Sequence, residues 1–391
     1  MAHSNLCKIM VRHNRASITK LLLCSALTLK LLFSHIAYAV DYGVVEGTNR
    51  ITMPYSLGSF FFHPTLPFAY ATGKQTNTVT VFRVNQHDGS MVQIASPINS
   101  GGIAPSFGSS IDPTGNYLYI PNTDSNNVTQ FAINQTTGTL TQVSNVKVSD
   151  LPDGNNYPFT VAFAPSGKHV YIPLYNSNSV AIFDVNPQNG NLIYRKRIIT
   201  GTLPIAIVFN YDGKYAILNN QGINKVQLFK ISDDGDLTLI QNFATADMIN
   251  PFFAAPHPDG IHFYIASYSN NRLIQVKLNT TETPSLEYIN SVDVRGIGPN
   301  TFIPFSNDLQ YAYEGNYDDN TLSMFKVTDG VLHPLPPFKI TVSGYGIIQC
   351  RRMPNSNFIY SVNSISNDLS VYKITADGTL IPHIFKDSLK H

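Results

Sequence analysis

Charge is scarce in this chain. Asp, Glu, Lys and Arg make up 13% of the 391 residues, against 43% hydrophobic, a globular balance. Acidic residues are missing altogether from the first 39 positions, which carry Lys8, Arg12, Arg15, Lys20 and Lys30. An apolar run from Leu21 to Phe33 follows, broken by Lys30, and Ala37-Tyr38-Ala39 places small residues where signal peptidase cuts. The reading is a signal peptide, residues 1–39, cut near Ala39, with secretion or a periplasmic address. The alternative, a membrane anchor, needs about 20 apolar residues, and this run is short. Residues 40–391 then hold 21 basic and 25 acidic residues, net −4. That leaves no basic footprint for nucleic acid, and no transmembrane span in the mature chain.

Cysteine is nearly absent too. Only Cys350 remains beyond the leader, so no intramolecular disulfide can form. It falls where other repeats place Phe60, Val161, Ile207 or Ile303, and reads as a small buried apolar side chain. Also lacking are H-E-x-x-H, zinc-type Cys/His spacing, a P-loop and G-x-S-x-G. No metal or cofactor is expected on these grounds.

What is present is a repeat. With Pro113 as marker, equivalent positions are Pro64, Pro165, Tyr211, Pro258, Asn307 and Pro354, 46 to 52 residues apart. Thirteen residues after each stands an Asn: 77, 126, 178, 224, 271, 320 and 367. Asn suits a tight left-handed turn. Eighteen and twenty residues after each marker the residues are apolar, as in Phe131 and Ile133, a period-two spacing that marks strands. A period of roughly 40–50 residues holding about four strands marks a propeller blade. Residues 40–391 are therefore expected to form one all-β domain, a seven-bladed β-propeller of four-stranded antiparallel blades. Val40 to Gly58 or Leu380 to Phe385 would supply the outer strand that closes the ring. Pro105, Pro158, Pro204, Pro251 and Pro299 fix the lead-in loops to the inner strands. Those loops and the Asn loops should share one face, around the channel mouth.

The second strand reads Tyr119-Ile-Pro-Asn122, Tyr313-Glu-Gly-Asn316 and Tyr360-Ser-Val-Asn363, followed by Asn-x-Val-x-x-Phe and Gly-x-Leu. Over residues 58–386 this resembles the YVTN-repeat and lactonase-like propellers, which include bacterial 6-phosphogluconolactonase. The resemblance implies the propeller fold and, for the enzymes of the group, lactone hydrolysis. The lactonases carry Gly-Pro-Arg-His leading into an inner strand; the nearest stretch here is Gly298-Pro299-Asn300-Thr301. The family's Asn-Glu is missing as well, since Asn122 precedes Thr123 and Asn316 precedes Tyr317. No catalytic residue carries over.

Residues that break the internal pattern are the remaining clues. Glu314 replaces an apolar second-strand position, and Arg352 replaces an apolar inner-strand position in the next unit. A buried charge wants a partner, so Glu314 and Arg352 (or Arg351) are expected to pair. A sharper reading makes Glu314 a base or ligand anchor facing the channel, with Arg295 and Arg352 as further catalytic candidates. Tyr175, Tyr268 and Tyr317 share one phase past the second strand, and either form an amphipathic platform at the mouth or cover loops. With Asn122, Asn316 and Asn300 they are the candidate binding residues. His63, His257 and Asp112 share the phase before the marker and read as solvated turn residues on the opposite face.

The expectation is a monomeric binding scaffold for a small-molecule or protein ligand at the loop face. The alternatives are a lactonase-type hydrolase and a surface-layer or adhesion component. Charged side chains converging at the mouth would favour the enzyme; Tyr, Asn and Ser alone would favour binding.

Overall fold

All seven asparagines of the common phase adopt left-handed backbone conformations, with φ from 50° to 55°. In six of them the side-chain Oδ1 also accepts a backbone N–H from the next lead-in loop. The donors are Ala104, Tyr157, Leu203, Asn250, Gly298 and Gly346, at 2.6–2.9 Å. One residue thus turns the chain and ties each blade to its successor.

The computed structural model describes residues 43–148, 154–301 and 303–386, so the expected leader lies outside the described residues. The described chain is a seven-bladed β-propeller of antiparallel sheets, with 3₁₀ turns at Gln221–Ile223 and Tyr268–Asn270. Blade 4 shows the pattern: strands Pro204–Phe209, Tyr215–Asn220, Lys225–Ile231 and Leu237–Phe243, paired in that order from the inside outward. No helix among the described residues is long and apolar enough to cross a membrane.

Apolar side chains fill the interfaces between blades. Ile217, Val226 and Leu228 of blade 4, for example, pack against Phe263, Ile265 and Ile274 of blade 5. A second device staples neighbours. Buried Tyr70, Tyr119, Tyr171, Tyr264, Tyr313 and Tyr360 each donate their hydroxyl to a glycine carbonyl of the next blade: Gly138, Gly190, Gly235, Gly330, Gly378 and Gly89. The distances run from 2.6 to 3.1 Å. Each glycine has φ between 69° and 82°, where a Cβ is disfavoured. At the junction of blades 4 and 5 both partners are lost together: the phase holds Ile217 and Pro284.

Both termini close the ring. Arg50–Thr52 pairs with Asp368–Ser370, and Leu380–Pro382 pairs with Tyr372–Ile374. The outer position of blade 7 is therefore split between the two ends of the domain. The split falls where blades 2 to 6 carry a β-bulge, as between Gln130 and Phe131. An outer strand is already interrupted there, so the chain ends meet at the point of least lost pairing.

Blade 6 departs from the pattern. Its named strands are Tyr311–Asn316, Thr321–Thr328 and Val331–Thr341, and isolated bridges Pro299↔Asn316 and Phe305↔Ala312 hold the inner position.

Candidate functional site

Glu314 is explained by that departure. Its side chain is fully buried, and Oε1 accepts the Thr301 N–H at 2.9 Å. The carboxylate supplies an acceptor that a paired inner strand would have supplied. Burial pushes its pKa up to about 8, against the lowering effect of hydrogen bonds from Thr301 and Asn300. The expected pairing with Arg352 does not occur. Tyr313 packs toward blade 7 with Cys350 and Ile359, so the adjacent Glu314 points the other way, toward blade 5. Arg352 instead donates to Asn307 Oδ1 and to the carbonyls of Met353 and Ser356 in the turns below. Arg351 lines a small cavity of about 180 Å³ between the inner strands, with Ser109, Ser110 and Thr160. Arg295 is exposed, 3.7 Å from Asp293 and stacked on Phe338. Cys350 is a free, buried thiol.

The main cavity, about 940 Å³, opens at the face of the lead-in and Asn loops. Its walls include Phe107, Phe252, Tyr268, Tyr317, Ile348 and Asn300. The aromatic wall continues beyond it: Phe107 to Phe159 at 6.0 Å, Phe159 to Tyr175 at 5.9 Å, Phe159 to Phe252 at 6.5 Å and Phe252 to Tyr268 at 5.9 Å. Burial is the main cause that pushes Tyr268 up to about 12, helped by its hydrogen bond to Asp318 at 3.1 Å. Tyr175 donates to Gln221 Oε1 at 3.0 Å.

Hydrogen bonds between inner strands form a floor. Val161 N–H donates to Gly108 O at 2.9 Å, and Gln349 links Phe60 N–H to the Phe107 carbonyl at 2.8 and 2.7 Å.

Two wall residues carry an unspent acceptor. Asn300 is buried and its Oδ1 lacks a hydrogen-bond partner. Asn367 is the one turn asparagine of the seven whose Oδ1 holds no lead-in N–H; that atom is buried and unpartnered as well. Both residues line the cavity. The charged side chains in the wall are Lys74, which lies 5.4 Å from the Phe107 ring centroid, and Asp124.

Of the residues singled out from the sequence, Tyr268, Tyr317 and Asn300 come together in this wall, and Tyr175 flanks it. Asn122 and Asn316 are fully buried in the blades, bonded to Thr129 Oγ1 at 3.0 Å and Ser323 Oγ at 2.7 Å. Sequence reasoning passed over Phe107, Phe159, Phe252 and Ile348. They share the phase six residues before the marker, so aligning the units at that phase would have found them. The turn residues also differ from expectation, being buried rather than solvated. His63 Nε2–H donates to Gly115 O at 2.8 Å while Nδ1 accepts the Thr65 and Leu66 N–H groups. Asp112 accepts the Tyr117 N–H at 2.7 Å, bracing the same turn.

Comparison with known proteins gives a consistent picture. The model of the family "Lactonase, 7-bladed beta-propeller" matches residues 57–152 and 147–249. A protein of Staphylococcus saprophyticus is 21% identical over 183 residues, covering 43% of this chain and 53% of its own. A 6-phosphogluconolactonase of Buchnera aphidicola is 25% identical over 107 residues, covering 27% of this chain and 32% of its own. The chain thus spans about half and about a third of these curated relatives. The periplasmic gluconolactonase of Pseudomonas aeruginosa superposes with a TM-score of 0.65 at 17% identity, over 78% of this chain and 90% of that one. A chain of Kuenenia stuttgartiensis hydrazine synthase gives 0.61 at 18% identity, over 83% and 96%. At such identities the likeness is one of fold, and this fold hosts unrelated activities.

Proposed function

We propose that this chain, which belongs to the lactonase-like seven-bladed β-propeller family, is a binding propeller whose ligand is a ring-shaped molecule rich in hydrogen-bond donors. A carbohydrate or a polyhydroxylated cyclic compound has the matching chemistry. The carrying observation is the pair of buried, unpartnered Oδ1 atoms of Asn300 and Asn367 beside an aromatic wall. Unpartnered buried acceptors are costly, so a donor arriving there is favoured. The apolar face of a ring would lie against Phe252 and Tyr268. About 940 Å³ suits a ligand of one or a few rings.

A second reading, lactone hydrolysis in the same cavity, draws on the family match and on the gluconolactonase neighbour. Ester opening needs a base and a charge-stabilising donor. Lys74 and Asp124 are the charged groups in the wall, and Glu314 is enclosed elsewhere. The balance therefore favours binding.

A secretory address fits the leader ending at Ala39; N-terminal sequencing of the mature protein starting at Val40 would support it. One experiment separates the two functions. Soluble sugars and a lactone panel are offered to wild type, Phe252→Ala and Asn300→Leu, following melting temperature and hydrolysis. A compound that raises the wild-type melting temperature, loses that effect in both variants and is not turned over supports binding. Turnover of a lactone by wild type, lost in the variants, replaces it with the enzyme reading.

A further inference from the structure

The first turn of blade 5 reads His257-Pro-Asp-Gly-Ile-His262 and lies at the far end of the inner strand Pro251–Pro256 from the aromatic mouth. Asp259 Oδ1 is occupied by the backbone N–H groups of Ile261 at 2.9 Å and His262 at 3.0 Å. Its second oxygen, Oδ2, faces His257 Nδ1 at 2.9 Å and His262 Nδ1 at 2.6 Å. The three donor atoms lie within 4.8 Å of one another. Both imidazoles are almost covered, with side chains 10% and 11% exposed, while the carboxylate is 30% exposed. The cluster is thus fixed from behind and reachable from one side.

His257 carries two competing contacts, and a cation would satisfy the closer of them. Its Nδ1 lies 3.2 Å from the Asp259 N–H, placed to accept from it, and 2.9 Å from a carboxylate oxygen. A neutral ring cannot serve both with one atom. With the proton on Nε2, Nδ1 meets Oδ2 lone pair to lone pair; with the proton on Nδ1, it meets the backbone N–H. A positive ion between Nδ1 and Oδ2 converts that repulsion into two ligand bonds. Nε2 is buried without a hydrogen-bond partner, and Phe305 and Tyr264 stack edgewise on the ring, with centroids 5.2 and 6.3 Å away. Those rings hold the imidazole in place with Nδ1 turned toward the carboxylate.

We propose that His257, Asp259 and His262 form a site for a divalent transition-metal ion on the turn face of the ring. Two imidazoles and one carboxylate suit zinc and its neighbours rather than calcium or magnesium, which prefer oxygen. Three protein ligands leave a coordination position to solvent or to a group from another molecule.

The test uses chelator-treated full-length protein titrated with zinc chloride by calorimetry, alongside His262→Gln, Asp259→Asn and the exposed-histidine control His87→Gln. One equivalent per chain is expected for wild type and His87→Gln, with affinity at least tenfold weaker in the two site variants. Cobalt(II) added to the wild type should give visible absorption bands of four- or five-coordinate, nitrogen-ligated metal, a readout that needs no variant to fold. Absence of stoichiometric zinc binding, or the spectrum of fully hydrated cobalt, overturns the proposal. So does unchanged affinity in folded His262→Gln.

Discussion

Blades 5 and 6 stand side by side, share one register and differ at three heights. At the mouth, blade 5 presents Phe252 and Tyr268 where blade 6 presents Asn300 and Tyr317. In the middle, Ile265 packs into the core while the equivalent Glu314 accepts a backbone N–H. At the turn, His257 and His262 converge on Asp259, whereas blade 6 braces the turn with Ser306, whose Oγ donates to Asp308 at 2.6 Å and accepts the Tyr311 N–H at 3.0 Å. The comparison teaches that the repeat tolerates exchange wherever the backbone hydrogen-bond accounts still close. An inner strand can be given up if a buried carboxyl takes its N–H. The two proposed sites lie where such exchanges leave an unusual acceptor: an unpartnered amide oxygen at the mouth, or a carboxylate oxygen shared by two imidazoles at the turn.

The largest way to break the comparison is through Glu314. Its folded pKa of about 8 lies above the ordinary 4.5. Between those values the folded state holds a proton that the unfolded chain releases. Its contribution is therefore fully present below about pH 4.5 and is lost as pH rises through about 8, by up to about 5 kcal/mol. Denaturant midpoints at pH 5 and pH 8 should show this fall in wild type and a much smaller one in Glu314→Gln. An equal slope in both would remove the buried-carboxyl account.

Gly330→Ala tests the staple that joins the two blades. Gly330 has φ 73°, and an added Cβ would lie against the His262 ring. A loss of about 2–3 kcal/mol is expected by thermal or chemical unfolding. At the mouth, Phe252→Ala should weaken a bound ring ligand by about 2 kcal/mol, roughly thirtyfold, as seen by calorimetry. Tyr264→Phe, which removes only the hydroxyl donated to Gly330, should cost about 1 kcal/mol. Hydrogen-deuterium exchange of the wild type should find faster opening at the unstapled junction of blades 4 and 5 than between blades 5 and 6.

Much of the ring was legible because a repeat writes the same local demand many times. The turn asparagines needed φ near 50°, and Asn126 and its six equivalents announced it from one phase. The Tyr–Gly staples left a trace of the same kind: Tyr119 and its equivalents stand six residues after the marker, and Gly190 and its equivalents two residues before the first apolar residue of the outer strand, with Ile217 and Pro284 replacing one pair together. The site was less legible. Tyr268, Tyr317 and Asn300 drew attention as oddities, yet Phe107 and Phe252 looked like ordinary apolar residues of their strands. Glu314 and Arg352 looked like partners because each replaced an apolar residue, but strand alternation turns them to different interfaces of blade 6.

The sequence by itself determined the number of blades, their turns and the covering of each sheet by its neighbours, since these depend on residues a few positions apart. Only the tertiary structure decided which blade-to-blade meetings matter. Asn300 and Asn367 come from blades 6 and 7, and Phe107 and Phe252 from blades 2 and 5; they share one cavity solely because the ring closes. Closure also gives Asn367 a neighbour from the other end of the domain: its carbonyl accepts the Met53 N–H, while its Oδ1 holds no lead-in N–H.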